Sequence, residues 1–536
     1  MTRTRLFFIL AATTSLGVLA LTAARAHDVP KVATGFVANI LCSETFVSGL
    51  DPERVFAETT EAMPGADLIT WAMNYKVDRT ARDVTVTLFG AGRSRAVYRE
   101  GLGCYLAVGG AVADSAPPPE HESQPALLPD IAGPSVVAPA TPQLGAALDR
   151  AFAEPNAPPF RRTRAVVVVK DGRIIAERYA DGYGIDTPIF GFSATKSVIS
   201  ALIGILVRKG ELALDRPAPV AAWQTPDDPR RAITIDQLLR HTAGLALGSS
   251  LSASLASALE PVNRMKFMEA DKAGYAETIG LETAPGTAWN YHDGNTIILS
   301  HLIRDAAGGS PADVLRFARA ELFDPLGMRH VTLEFDQAGT PEGSSQMLAS
   351  ARDWARFGML YLNDGVAGGK RILPEGWVSY SAQPTPNAWV GYGAGFWTNL
   401  GDSFGAKYRI EHGWPRDAFF AKGTIGQYVI VIPSERLVIV RLGRSPNWPP
   451  DGDGVFDLVR DVVAATGGGS NWRAATERYC RPNCVAFSTR SNLSSERIAS
   501  ASRSARPFKT GRASVRNFCC IACASGNELG SPEGSA

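Results

Sequence analysis

The feature that most constrains this chain is the run from Val198 to Val207, Val-Ile-Ser-Ala-Leu-Ile-Gly-Ile-Leu-Val, which is apolar nearly all round. A helix without a polar face has to be surrounded by protein, so this one belongs in the middle of a domain. Arg208 and Lys209 put cations in its last turn, and Gly210 stops it. Directly before the run stands Gly191-Phe192-Ser193-Ala194-Thr195-Lys196-Ser197. If the helix starts here, Ser193 and Lys196 lie on one face of its first turn. A serine and a lysine held together at the buried start of a core helix is an unusual arrangement to build without a chemical reason.

The chain has 536 residues, enough for two or three domains. A formal net charge of +1 offers no footprint for nucleic acid and no acidic binding surface. Residues 1–26 read as an export signal, with Arg3 and Arg5 before the apolar run Leu6 to Leu21 and a cleavage site at Ala24-Arg25-Ala26. The competing reading is an uncleaved anchor; Thr13, Thr14, Ser15 and Gly17 interrupt the run and favour cleavage. No later segment is long and apolar enough to cross a bilayer, so the expectation is an exported protein, periplasmic or secreted, with no stable membrane span. Export permits disulfides. Of the seven cysteines, Cys42 and Cys104 are expected to bridge the ends of a first domain. Cys480, Cys484, Cys519, Cys520 and Cys523 crowd the tail with no histidine and no packed scaffold, and neither a metal nor another cofactor is expected.

Residues 27–112 read as a small α/β-type domain without a catalytic constellation, with a strand at 84–89 paired to one at 95–100. Residues 113–143, rich in proline and alanine, read as an extended and poorly ordered linker. The large domain, 144–467, opens with strands on either side of the Asp171-Gly172 turn and closes with strands on either side of Pro433 to Arg436. Helical patterns lie between, clearest at 235–241, 294–307, 312–323 and 349–362, and another follows at 456–465. The simplest architecture is α+β, one antiparallel sheet built from both ends of the domain, flanked by helices, with a helical subdomain inserted. Residues 468–536 read as a disordered tail.

Ser-x-x-Lys alone is a weak pattern, but this one occurs once in the chain and is followed by three further motifs in order. They are Leu238-Leu-Arg-His-Thr-Ala-Gly-Leu245, Pro285-Gly-Thr-Ala-Trp-Asn-Tyr291-His-Asp293 and Ala421-Lys-Gly-Thr-Ile-Gly-Gln427. Together they resemble the serine β-lactamase-related hydrolases: class C β-lactamases, D-alanyl-D-alanine carboxypeptidases and the esterases and 6-aminohexanoate-oligomer hydrolases of the same fold. The resemblance covers roughly residues 141–466, and the stretches 290–296 and 351–365 look most like the 6-aminohexanoate-hydrolase branch. It implies a β-lactamase/transpeptidase-like fold and an acyl-enzyme hydrolase of small-molecule or short-peptide substrates.

A serine hydroxyl is a poor nucleophile until a base takes its proton. Lys196 can do so if burial disfavours its ammonium. By resemblance, Tyr291 shares that proton and returns it to the leaving group. The oxyanion needs backbone donors, expected from Ser193 and from Thr424, with Ile425 the alternative in register. Two departures from class C move the expectation away from β-lactams and towards an amide or ester. Asp293 stands where an asparagine amide would donate to substrate, and it is expected to pair with Lys196 or another cation. The third motif is Lys422-Gly423-Thr424 in place of Lys-Thr-Gly, with Lys422 a candidate for attracting a substrate carboxylate. His241 reads as a structural turn residue, and His412 as a residue of the site's rim. Leu247 to Glu260 reads as a flap or a plain loop, and Trp289, Trp389, Trp397 and Trp414 as either cleft or core. The alternative to an enzyme is a penicillin-binding or sensor-type protein that acylates without efficient turnover.

Overall fold

A computed structural model describes residues 28–62, 69–90, 92–109, 124–251, 257–446 and 452–467. The expected export signal, the tail with its five cysteines and the Pro117-Pro118-Pro119 part of the linker lie outside these residues.

The chain begins with α1 (Asp28–Phe46) and α2 (Pro52–Ala62). An antiparallel meander follows, made of β1 (Met73–Asp78), β2 (Asp83–Leu88), β3 (Gly92–Arg99) and β4 (Gly103–Leu106). A disulfide between Cys42 and Cys104 ties α1 to β4. Next come α3 (Pro142–Phe152), β5 (Thr163–Lys170), β6 (Arg173–Tyr179) and β7 (Ile189–Phe190). The apolar helix is α4 (Thr195–Arg208), followed by α5 (Pro261–Met268) and α6 (Asp293–Ala307). Then come β8 (Val331–Leu333), β9 (Met347–Ala349), α7 (Ala351–Leu362) and the small hairpin of β10 (Val366–Ala367) and β11 (Lys370–Arg371). The last elements are β12 (Trp397–Thr398), β13 (Phe419–Gly423), β14 (Gln427–Ile432), β15 (Leu437–Gly443) and α8 (Val455–Ala465).

Both ends of the large region build one six-stranded sheet in the order β12-β13-β14-β15-β5-β6. β15 pairs antiparallel with β5, placing Val440 opposite Val167. The alternation of side chains sorts the sheet into two cores. Val167, Val169, Val429 and Val440 face the core that encloses α4, while Val166, Val168, Ile430 and Ile439 face α3 and α8. A sheet covered on both faces explains why β5 reads as an unbroken valine run. Ile199, Leu202, Ile203 and Leu206 of α4 are fully buried, as the missing polar face requires. A second, three-stranded sheet, β7-β9-β8, delivers the chain to Gly191. Among the described residues no helix is long and apolar enough to cross a membrane.

The N-terminal segment, with its own four-stranded sheet and disulfide, is tied to the large region by buried polar contacts. Buried Glu44 of α1 pairs with Arg164 at 2.9 Å and with Arg444, and Ser43 Oγ donates to Glu334 at 2.7 Å. Residues 124–143, within the expected linker, are held against the large region. Leu128 and Ile131 are buried in the main core, and Ile174 N–H donates to the Ile131 carbonyl at 2.9 Å. A few apolar side chains with a place to bury outweigh a proline-rich composition.

Candidate active site

β7 leads into Gly191, whose N–H donates to the Met347 carbonyl at 2.8 Å. A Cβ on Gly191 would stand 2.2 Å from the indole of Trp354, so only glycine lets this turn lie against α7. Phe192 follows with φ of +45°, a strained conformation for a bulky residue and one that clusters at functional sites. Residues 192–194 form a 3₁₀ turn and α4 starts at Thr195. Ser193 therefore sits just before the helix, not in its first turn, yet its spacing from Lys196 still brings Oγ within 3.1 Å of Nζ.

Lys196 is fully enclosed. Its Nζ also donates to the Ser344 carbonyl at 2.8 Å and to Asp293 Oδ1 at 2.5 Å. Burial pushes its pKa down while Asp293 pulls it up, and the net direction is down. Tyr291 places its ring centroid 5.0 Å from Lys196 Nζ, with its phenol facing Ser193. Burial and the Asp293 charge raise its pKa, so it stays a phenol, a proton donor. His241 packs on the Tyr291 ring at 4.6 Å, and its carbonyl accepts from Asn290 N–H at 2.9 Å; it braces the tyrosine's loop, as a turn residue would. Burial holds both neighbouring histidines neutral, His292 down to about 4.

The end of β13 lies against the same turn. A Cβ on Gly423 would stand 2.0 Å from the Gly191 carbonyl oxygen. Thr424 then lines the cavity that holds Ser193. Ile425, at φ +53°, turns its side chain into the apolar cluster shared with α1.

The profile of the Beta-lactamase family matches residues 148–464. The chain belongs to the Beta-lactamase family. It is a serine hydrolase of that superfamily. It is 26% identical over 304 residues to the 6-aminohexanoate-dimer hydrolase of Paenarthrobacter ureafaciens, covering 54% of this chain and 74% of that one. It is 28% identical over 180 residues to esterase EstB of Burkholderia gladioli, covering 32% of this chain and 42% of that one. Among solved structures, a penicillin-binding protein homologue from Caulobacter crescentus aligns with a TM-score of 0.47 at 17% identity, over 63% of this chain and 100% of that one.

Three features of this Beta-lactamase-family site were not legible beforehand. Lys266 of α5 meets the second oxygen of Asp293, Nζ to Oδ2 at 2.6 Å. Burial opposes the Asp293 charge, but the two ammonium groups prevail and hold the carboxylate far below its usual range. The cavity, with about 710 Å³ of empty space including its open side, is walled in part by Phe36, Asn39 and Ile40 of α1. The N-terminal segment thus forms part of the cavity wall. Ser250, in the stretch read as a flap, accepts from Asp293 N–H at 3.1 Å, while residues 252–256 lie outside the described ones.

Other expectations are corrected. Lys422 does not line this cavity. On β13 it shares a face with Phe420, away from α4, and its Nζ lies 5.2 Å from the ring centroids of both Trp397 and Tyr428. His412 ends the helix at 404–411 and packs against Tyr408 and Phe456. Trp414 belongs to the second core and Trp389 is exposed, whereas Trp289 and Trp397 back the Tyr291 ring.

Proposed function

We propose that this chain is an exported hydrolase that cleaves a short linear amide or an ester through an acyl-enzyme on Ser193. The observation that carries the reading is one hydroxyl, Ser193 Oγ, reached by both a buried amine at 3.1 Å and a buried phenol. Neutral Lys196 takes the Ser193 proton as Oγ bonds to the substrate carbonyl carbon. The Ser193 and Thr424 N–H groups receive the oxyanion. Tyr291 passes a proton to the departing nitrogen or oxygen and recovers it from Lys196, which leaves Ser193 acylated. Water then attacks the acyl carbon along the same proton path and frees the serine. The substrate class is supported by the relatives named 6-aminohexanoate-dimer hydrolase and esterase. Export is supported by the N-terminal sequence and by the Cys42–Cys104 disulfide, a bond favoured in oxidising compartments.

The test is turnover of nitrophenyl esters, aminohexanoate oligomers, D-peptides and β-lactams by the wild type and Ser193→Ala. Turnover of the amides or esters, lost in Ser193→Ala, supports the proposal, and turnover retained in that variant defeats it. The competing outcome is acylation of Ser193 without turnover. A stable Ser193 adduct without product would establish it.

A further inference from the structure

We propose that Lys266 is a positioning residue that carries the counter-charge of Asp293, so that Lys196 can give up its own charge and act as base on Ser193. The inference rests on the Ser193–Lys196 reading above and adds a group outside the motifs.

Lys196 has three acceptors around Nζ: Ser193 Oγ, Asp293 Oδ1 and the Ser344 carbonyl. As an ammonium it donates to all three. As an amine it keeps its bonds to Asp293 and Ser344 and turns its lone pair to Ser193, the arrangement a base needs. The geometry serves both states, so charge decides between them. Asp293 is buried. If Lys196 were its sole partner, each loss of the Lys196 proton would leave a bare carboxylate in the interior, and the pair would stay ionised.

Lys266 removes that obstacle. It reaches the other carboxylate oxygen, at 2.6 Å, from a separate helix. Its side chain is about one-fifth exposed and faces the cavity, so its ammonium keeps part of its hydration. With Lys266 in place, the Asp293–Lys266 pair is neutral when Lys196 is neutral. Among the described residues the surrounding elements supply no substitute. His292 and His241 are uncharged near neutral pH, Tyr291 and Tyr392 are phenols, and Lys272, from the helix after α5, is paired with Glu342.

The experiment is the pH profile of kcat/KM for an uncharged nitrophenyl ester, whose acid limb reports the free-enzyme base. In Lys266→Met the limb should move up by about one to two pH units, a loss of roughly 10- to 100-fold below it, with the alkaline plateau retained. Lys266→Gln keeps a donor to Asp293 without the charge and should behave as Lys266→Met does; Lys266→Arg should restore the wild-type limb. In an Asp293→Asn background, Lys266→Met should shift nothing further. A limb unmoved in both neutral variants, or moved equally by arginine, or still moved in the Asp293→Asn background, would overturn the proposal. The underlying reading fails separately, through activity that persists in Ser193→Ala.

Discussion

Glu44→Ala should be among the most damaging single substitutions in the chain, although it lies in the N-terminal segment. Glu44 Oε1 pairs with Arg164 and Arg444, and the three side chains are 1%, 3% and 0% exposed. Arg164 has a second carboxylate in Glu58, at 2.6 Å. Arg444 has no other ion-pair partner among the described residues. Burial already lowers its pKa to about 10 against the support of Glu44. Removing Glu44 strands a guanidinium in the interior, which costs about 3–5 kcal/mol. Arg444 also lies 5.9 Å from the Phe192 ring, beside the nucleophile turn, so kcat should fall as well. Denaturant unfolding of Glu44→Ala, Arg444→Met and the double variant measures this. The double variant should recover most of the loss, because removing both charges leaves nothing uncompensated. A loss below about 1 kcal/mol in Glu44→Ala, or a double variant no more stable than the single, would refute the reasoning.

Gly423→Ala drives a methyl group against the Gly191 carbonyl, so kcat should drop on the order of 100-fold while the circular dichroism spectrum stays native; near-normal kcat would mean the two strands give way freely. Ile40→Ala widens the cavity from the α1 side, and the acyl-chain preference over a nitrophenyl ester series should move to longer chains; an unchanged profile would count against α1 as a wall. Burial raises Glu334 from an ordinary 4.5 to about 8, so folding takes up a proton there. Its proton-linked stabilisation is complete below 4.5, declines as pH rises from 4.5 to 8 and is gone above that, so the melting temperature should fall across that interval and level off beyond it. Glu334→Gln should flatten that fall, since its amide oxygen can still accept from Ser43 Oγ and Cys104 N–H.

Much of this architecture is local in origin. The apolar circumference of α4 and the turns at Asp171-Gly172 and Pro433–Arg436 predict a buried helix and two hairpins, and register then closes them into one sheet. Ser193, Lys196 and Tyr291 were legible because short-range spacing and motif order carry them. Lys266 was not. It lies on an ordinary helix, and its meaning depends on which helix start that face meets. The same holds for Phe36, Asn39 and Ile40, whose spacing defines a helical face without naming its neighbour. Lys422 was misplaced for a different reason. Its motif gives the residue order, but strand alternation decides the face, and Gly423 holds the register that turns Lys422 away from the cavity.

In the proposed mechanism Ser193 is acylated because buried Lys196 takes its proton. Intact-protein and peptide mass spectrometry after brief reaction with a nitrophenyl ester tests it most directly, on wild type, Ser193→Ala and Lys196→Ala at matched pH. One acyl adduct is expected on the wild type, located on Ser193, absent from Ser193→Ala and formed at least about 100-fold more slowly in Lys196→Ala. An adduct on another residue, or one that forms at the wild-type rate without Lys196, would contradict it.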